Sequence, residues 1–174
     1  VRIGKKRKPL DKKIYQMRVI LINRQNKIGL DLNLFKKVSG YVSDKFDNNK
    51  NMELNIVFIQ KDEIRQLNKK FRKKDKPTDV LSFSYQGDCT EFNMQKGFKT
   101  AGEIIISPEV ASDNIQPGKI VPKSDWNFNK EIALLIIHGL LHIFDYDHES
   151  KEDGIKMENI QKSLLNDVLT NFGL

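Results

Sequence analysis

Short apolar runs along the chain have the hydrophobic pattern of strands. β-Branched and apolar residues concentrate in four of these runs, at residues 15–23, 52–59, 79–85 and 103–107. The third run alternates between two faces. The fourth is apolar throughout, which predicts a strand in the middle of a sheet.

Between these runs, apolar residues recur every three to four positions, the spacing of amphipathic helices. This pattern covers residues 31–46, 61–72 and 151–172. Pro108 can begin a short helix after the fourth strand, because its missing N–H is not needed in the first turn. The segment from residue 129 or 130 to 144 is apolar on almost every side, which predicts a buried helix.

The segments that join these elements are polar and contain glycine or proline. We expect a surface loop carrying Cys89 over residues 86–101, and an irregular stretch over residues 114–127. Neither an internal repeat nor a dividing linker interrupts the pattern. The prediction is an α+β or α/β fold, with a single domain, one mixed sheet of about four strands, helices packed on it and a buried helix.

Composition is typical of a soluble globular protein. Of the 174 residues 39% are hydrophobic and 30% are charged. No apolar stretch approaches the roughly 18 residues that a membrane span needs. A single cysteine cannot form an internal disulfide, and the basic N-terminus lacks the apolar stretch of a secretory signal. We therefore expect a cytoplasmic protein that does not bind membranes.

The net charge of +7 is concentrated at the N-terminus. Residues 1–28 contain ten lysines and arginines against the single acid Asp11, whereas the remaining residues carry slightly more acids than bases. This contrast separates a basic N-terminal arm, residues 1–13, from a domain over residues 14–174. Such an arm either binds a phosphate backbone or is a solvated extension, and the sequence leaves both readings open.

A second basic cluster surrounds an aromatic residue. The segment K-K-F-R-K-K-D-K, from Lys69 to Lys76, holds six cations in eight residues. Single-stranded nucleic acid suits such a segment, because cations follow the phosphates and a ring can stack on a base. A solvated charged surface produces the same pattern.

All three histidines of the chain lie in one segment, H-G-L-L-H-I-F-D-Y-D-H, as His138, His142 and His148. The first two are four residues apart on the predicted buried helix, so both imidazoles can reach one ion. Asp145 can end that helix, because Asp adopts left-handed backbone angles more readily than most residues. The chain can then return to present His148.

Three histidine ligands leave the fourth tetrahedral position open for a water whose pKa a zinc ion lowers. The alternative is that the three are ordinary core or surface histidines that bind no metal. Two histidines on an apolar helix, however, are costly to bury without a partner such as a metal. We therefore predict one divalent ion, with zinc as the leading candidate, although imidazoles also accept nickel, copper or cobalt.

The spacing H-x3-H-x5-H is also that of a class of zinc proteases, which makes a metallopeptidase an alternative. Those enzymes use a glutamate directly after the first histidine as general base. Gly139 occupies that position and can neither accept nor donate a proton, and Asp145 replaces a glycine of the protease pattern. The ligands fit and the peptidase base does not, which favours another hydrolytic reaction.

The histidine segment resembles the signature H-G-x-L-H-x-x-G-Y-D-H of the YbeY endoribonuclease (rRNA maturation factor) family. Residues 67–83 are similar to the family block L-N-x-x-[YF]-R-x-x-D-x-P-T-[DN]-V-L-S-F, and residues 101–107 to its G-D-I-x-I-S strand. The resemblance runs from about residue 52 to 165 and leaves out the basic arm. Asp145 replaces the usual Gly, and Glu103 replaces the usual Asp.

The resemblance implies a metal-dependent, single-strand-specific endoribonuclease that acts in 16S rRNA 3′-end maturation and ribosome quality control. It implies metal binding by the three histidines and a catalytic role for Arg72. Its expected partners are single-stranded RNA and the small ribosomal subunit, and not DNA. Asp147, beside His148, would either orient a ligand imidazole or serve only as a capping or exposed residue. Four lysines of the basic cluster would hold the RNA backbone: Lys69, Lys70, Lys73 and Lys74. The alternative outside enzymes is an RNA-binding ribosome-assembly factor with a structural metal.

Overall fold

The computed structural model describes residues 17–46, 52–85, 94–95, 98–115 and 126–174. The elements follow in the order β1 (Arg18–Asn23), α1 (Leu32–Ser43), β2 (Met52–Phe58), α2 (Lys61–Arg72), β3 (Val80–Ser84), β4 (Met94–Gln95), β5 (Phe98–Ile106), α3 (Pro108–Asn114), α4 (Phe128–Ile143) and α5 (Lys151–Phe172). The N-terminal arm and Cys89 lie outside the described residues.

The strands form one mixed sheet in the order β1-β2-β5-β3. β1, β2 and β5 are parallel, whereas β3 is antiparallel to β5, and the two-residue β4 also pairs with β5. The predicted α+β class and the central position of the apolar strand are confirmed. β3 lies at the edge of the four-strand path.

The predicted loop over residues 86–101 is wrong at its second half. Residues 98–101 begin β5, and Met94–Gln95 forms β4, which pairs with Lys99 and Phe98. Residues 98–101 join the sheet through backbone pairing with β2 and β4, and Ala101 is fully buried. The sequence F-K-T-A nevertheless lacks the alternation of apolar and polar residues that indicates a strand.

Helices cover both faces of the sheet unequally. The larger core packs α1, α4 and α5 on one face, where Leu54, Ile56 and Phe58 of β2 are fully buried. On the other face, Ile64 of α2 packs on a smaller cluster. β3 contributes Val80 to the first core and Leu81 to the second, as its alternation predicts.

α4 is the most deeply buried helix, with ten of its 16 residues in the interior. The Asn127 side chain caps it by accepting a hydrogen bond from the Lys130 N–H at 3.1 Å. The prediction of a buried helix is confirmed, one or two residues longer at its start. Among the described helices, none is both long enough and apolar enough to cross a membrane.

Candidate metal centre

Two of the three histidines face each other on the last turns of α4. Their Nε2 atoms are 3.2 Å apart, and their ring centroids are 4.7 Å apart. Two imidazole nitrogens bound to one tetrahedral zinc ion, each at about 2.0–2.1 Å, would be about 3.3 Å apart. The spacing of His138 and His142 therefore matches a shared ion.

The third histidine returns to the same place because the chain reverses after α4. Asp145 has a φ of 61°, in the left-handed region, as expected from its position at the helix end. The Tyr146 N–H then donates to the Leu141 carbonyl at 3.0 Å. The His148 ring centroid comes to 5.2 Å from that of His142 and 6.1 Å from that of His138.

Asp147 lies near two of the rings, just beyond hydrogen-bond distance from their nitrogens. Its Oδ1 is 3.9 Å from Nδ1 of His142 and 3.7 Å from Nδ1 of His148, and it accepts a hydrogen bond from the His148 backbone N–H at 2.7 Å. Ligand atoms of His142, Asp147 and His148 all lie within 4.8 Å of one another. This carboxylate is placed either to orient an imidazole or to bind an ion directly.

A glutamine on α5 completes the centre and was not among the residues singled out from the sequence. Oε1 of Gln161 lies 2.9 Å from Nδ1 of His138. A proton on that Nδ1 leaves the lone pair of His138 on Nε2, the atom that faces His142. The sequence pattern could have indicated Gln161 by its position, because it is a polar residue next to the buried side of α5 that includes Met157 and Leu164.

The donor set fits a divalent cation. Burial, followed by the neighbouring His138, lowers the pKa of His142, so its neutral form, which has a free lone pair, is favoured. Imidazole nitrogens and a carboxylate oxygen suit a borderline ion such as zinc. His142 is the residue shared by both close contacts, with His138 through Nε2 and with the group of Asp147 and His148, which does not include His138. This arrangement, with His138 hydrogen-bonded to Gln161, is consistent with a metal centre around His142.

The histidines line a cavity of about 340 Å³ that also contains Arg72, although the two regions are far apart in the chain. One wall is the edge strand β3. The Ser107 N–H donates to the Asp79 carbonyl and the Tyr85 N–H to the Ala101 carbonyl, so odd-numbered residues of this segment direct their backbone N–H and C=O groups toward β5. The even-numbered Ser82 therefore directs its backbone N–H and C=O away from β5, on the side of the cavity that it lines.

A second cavity of about 300 Å³ adjoins the first and shares Arg72, Thr78 and Asp79 with it. Lys74 and Lys76 line this second cavity. Lys76 lies in the basic cluster, but its side chain was not selected from the sequence. The structural feature that places it is Asn68, whose Nδ2 donates to the Lys76 carbonyl at 2.8 Å.

The other three predicted lysines occupy different positions. Nζ of Lys69 lies 2.8 Å from Asp75, which also accepts from Arg65, and these bonds, Lys69 first, lower the pKa of Asp75. Nζ of Lys70 lies 5.0 Å from the centroid of the Phe71 ring. Lys73 donates from Nζ to the Lys70 carbonyl at 3.1 Å. Of the four lysines, only Lys74 lines a cavity that the structure describes.

Gly139 faces the sheet and not the cavity. A Cβ at this position would lie 2.7 Å from Cγ2 of Ile104 on β5. A glutamate here would be directed into the core, so the packing of α4 on β5 gives a second reason against the peptidase arrangement.

Two carboxylates outside the cavity lining are partly buried. Glu103 on β5 has a raised pKa because of burial, an effect that the charge of Arg24 opposes. Burial also raises the pKa of Glu131 on α4, against a hydrogen bond from Trp126, and the nearby Asp79 adds to the rise. Glu103, one of the two residues that depart from the family pattern, does not line the cavity of the histidines.

Comparison with known proteins identifies one group of relatives. The family model described as Endoribonuclease YbeY matches residues 20–169. A protein of Staphylococcus saprophyticus named Endoribonuclease YbeY is 36% identical over 114 residues, which cover 66% of this chain and 71% of that protein. One of Latilactobacillus sakei with the same name is 28% identical over 150 residues, covering 82% and 89%. The solution structure of TM1509 from Thermotoga maritima is similar, with a TM-score of 0.56 and 26% identity over 90% of this chain and 91% of that one.

Proposed function

We propose that this chain, which belongs to the YbeY endoribonuclease family, is a metal-dependent, single-strand-specific endoribonuclease. The observation that carries the proposal is the shared cavity. Arg72 from α2 and the three histidines of the α4 region line the same space, which is open to a phosphate group. A nucleic-acid hydrolase needs both a site for an ion and a cation for the phosphate.

In this proposal His138, His142 and His148 hold one ion, with zinc as the leading candidate. Asp147 either joins them or orients their rings. Gln161 keeps the His138 proton on Nδ1, so that Nε2 remains available. When bound, the ion supplies a Lewis acid for a phosphoryl oxygen and lowers the pKa of a water.

Arg72 binds the reacting phosphate. A guanidinium can donate two parallel hydrogen bonds to phosphate oxygens, and the gain is larger as negative charge grows in the transition state. The described residues include no ion-pair partner for Arg72, and its side chain is exposed. Its charge is therefore available to RNA. The outward N–H of Ser82 provides a further donor on the β3 wall.

The adjoining cavity receives the next phosphate of the strand. Lys74 and Lys76 line it, and Arg72 lies between the two cavities. Lys70 and Lys73 extend the positive surface, whereas Lys69 pairs with Asp75, a carboxylate that it shares with Arg65. Each phosphate contact should make binding weaken with salt.

We extend the proposal to 16S rRNA 3′-end maturation and ribosome quality control in the cytoplasm, with the small ribosomal subunit as partner. Family membership supports this assignment. The basic arm of residues 1–13 would add contacts to the phosphate backbone.

The competing proposal is a non-enzymatic assembly factor whose ion is structural. A structural zinc site is normally closed by four protein ligands. The histidines here line a cavity together with Arg72, which favours a reacting group at the ion.

The decisive experiment compares cleavage of a labelled single-stranded RNA by the wild type, His142→Ala and Arg72→Ala. Each protein is purified identically and assayed with metal, with chelator, and after metal is restored. We expect the wild type to cut RNA, to lose activity with chelator and to regain it with metal. His142→Ala should lose both its stoichiometric metal and its activity. Arg72→Ala should keep the metal and lose most of the activity.

Equal cleavage by all three proteins would assign the activity to a contaminant and refute the proposal. A wild type that is fully loaded with metal and binds RNA without cutting it would favour the assembly factor. Ile22→Ala is the matched control, because Ile22 lies on β1 at the opposite edge of the sheet from β3.

A further inference from the structure

We propose that Phe71, supported by Phe83, is a binding site for one unpaired nucleobase beside the cavity that the three histidines and Arg72 line, called the metal cavity below. This inference rests on the proposed function, because it assumes that the strand in the cavity is RNA. It adds a group that would distinguish single-stranded from paired substrate.

The first observation is the exposure of Phe71. Its side chain is 52% exposed on the last turn of α2, directly before Arg72. Among the described residues, the large apolar residues that are exposed are Ile22, Ile155 and Phe71. Phe71 is the aromatic one of the three, and it adjoins the proposed phosphate-binding residue.

The second observation is the support beneath the ring. Phe71 and Phe83 form an edge-to-face pair, with ring centroids 5.0 Å apart and planes at 67°. Phe83 belongs to β3 and lines the metal cavity. The contact therefore holds the Phe71 ring beside the cavity while half of its surface remains in water.

The third observation is the charge around the ring. Nζ of Lys70 lies 5.0 Å from the centroid of Phe71, and the exposed side chains of Arg72 and Lys73 follow in sequence. An apolar protein partner would have to desolvate these cations, whereas a nucleic acid supplies a negative charge and a flat ring in every nucleotide. The charge pattern thus favours RNA as the occupant.

A base can stack on this ring only if one of its faces is free. Bases inside a duplex are stacked on both faces, whereas those of a single strand are accessible. A strand whose phosphate binds Arg72 would have a neighbouring base within reach of Phe71. The ring would then contribute to the affinity for single strands and not to that for duplexes.

The test measures the binding of labelled RNA after metal has been removed with chelator, so that no strand is cut. Wild type, Phe71→Ala, Phe71→Leu and Phe71→Trp are titrated with a single strand and with a duplex of equal length. We expect the Ala and Leu variants to bind the single strand roughly 5- to 150-fold more weakly. Phe71→Trp should bind it at least as tightly as the wild type does, and duplex affinity should be unchanged throughout.

Two controls separate stacking from folding. Ile22→Ala removes a partly exposed apolar side chain at the far edge of the sheet and should leave both affinities unchanged. Phe71→Leu retains an apolar contact with Phe83, so it decides the question if Phe71→Ala proves poorly folded by thermal unfolding. An abasic nucleotide placed at successive positions should weaken wild-type binding at one position and have no such effect in Phe71→Leu.

If Phe71→Leu binds single strands as tightly as the wild type does, the inference is overturned, because any apolar side chain would then be sufficient and no stacking on an aromatic ring would be needed. Equal losses for single strand and duplex would also overturn it, since Phe71 would then only support α2. Tighter capture of an acidic peptide than of RNA would assign the ring to a protein partner. If the wild type binds the single strand through Phe71 but never cuts it, the proposed function fails and this site stands.

Discussion

α4 and α2 deliver their functional side chains to the same cavity in different ways. α4 has ten of its 16 residues in the interior, and core packing holds its two histidines with their Nε2 atoms 3.2 Å apart. α2 has two buried residues, Ile64 and Asn68, and its Arg72 is exposed. The histidines predicted to bind metal are thus held by core packing, whereas the arginine proposed to bind phosphate lies exposed at the end of α2.

The two helices nevertheless end alike. Among the described residues, Lys73 and Asp145 are the two non-glycine residues with positive φ, 59° and 61° respectively. Lys73 directly follows the last residue of α2, and Asp145 lies two residues beyond the last residue of α4. Each turn redirects the chain so that residues a few positions later line a cavity. Left-handed angles are unfavourable for L-residues, and such strain concentrates at functional sites.

The largest expected effect concerns Arg72, the exposed residue at the end of α2. Arg72→Ala should lower single-turnover RNA cleavage by about 10²–10³-fold, since one donor to a developing charge is worth that much. Arg72→Lys should recover only part of this loss, because it keeps the charge and loses the planar fork.

The salt dependence of RNA binding distinguishes the two variants of Arg72. The slope of log affinity against log salt should fall by about 0.7 in Arg72→Ala and stay unchanged in Arg72→Lys. If Arg72→Lys cleaves as fast as the wild type does, two-point binding of the phosphate is not part of the mechanism.

The histidines of the buried helix α4 depend on α5 as well, through Gln161. Gln161→Leu should weaken metal affinity by about 10- to 100-fold, because Nδ1 of His138 loses its hydrogen-bond acceptor. Gln161→Glu should bind the metal at least as tightly as the wild type, since a carboxylate is a stronger acceptor. Competition with a chromogenic chelator measures both affinities, and equal values in all three proteins would show that Gln161 has no influence on the site.

Close packing between α4 and β5 predicts opposite effects at two glycines. Gly139→Ala should destabilise the protein by about 1–3 kcal/mol, since its Cβ would approach Ile104 at 2.7 Å. Gly40→Ala in α1 should instead stabilise it by about 0.5–1 kcal/mol, because a Cβ there meets nothing within 4 Å. Urea unfolding measures both free energies, and the prediction is refuted if the two substitutions have the same sign.

The smallest expected effect concerns the two helix ends. Lys73→Gly and Asp145→Gly should each stabilise the fold by up to about 1 kcal/mol, and Lys73→Gly by more, because Asp tolerates left-handed angles better than Lys does. Lys73→Ala is the control for loss of the charge, because it retains the unfavourable φ. A gain in thermal stability for Lys73→Ala equal to that for Lys73→Gly would contradict the explanation by strain.

Local patterns predicted the helices well. α2 and α5 begin and end where their hydrophobic spacing predicts, at residues 61–72 and 151–172. Residues 98–101 were missed because they pair with β2, which lies far away in the chain, and because the neighbouring β4 has only two residues. Gln161 was missed for a similar reason, since its partner His138 is on another helix. Side chains that contact distant elements leave little trace in a single sequence.

The sequence by itself determined that two imidazoles share one face of a buried helix and that Asp145 can turn the chain beyond it. Helical geometry relates residues four apart, so this part of the site is local. Tertiary structure alone decided that Arg72 lines the histidine cavity, that Gln161 supports His138, and that Phe83 holds Phe71 beside that cavity. These contacts join α2, β3, α4 and α5, and their positions depend on the order of strands in the sheet and on the helices packed against it.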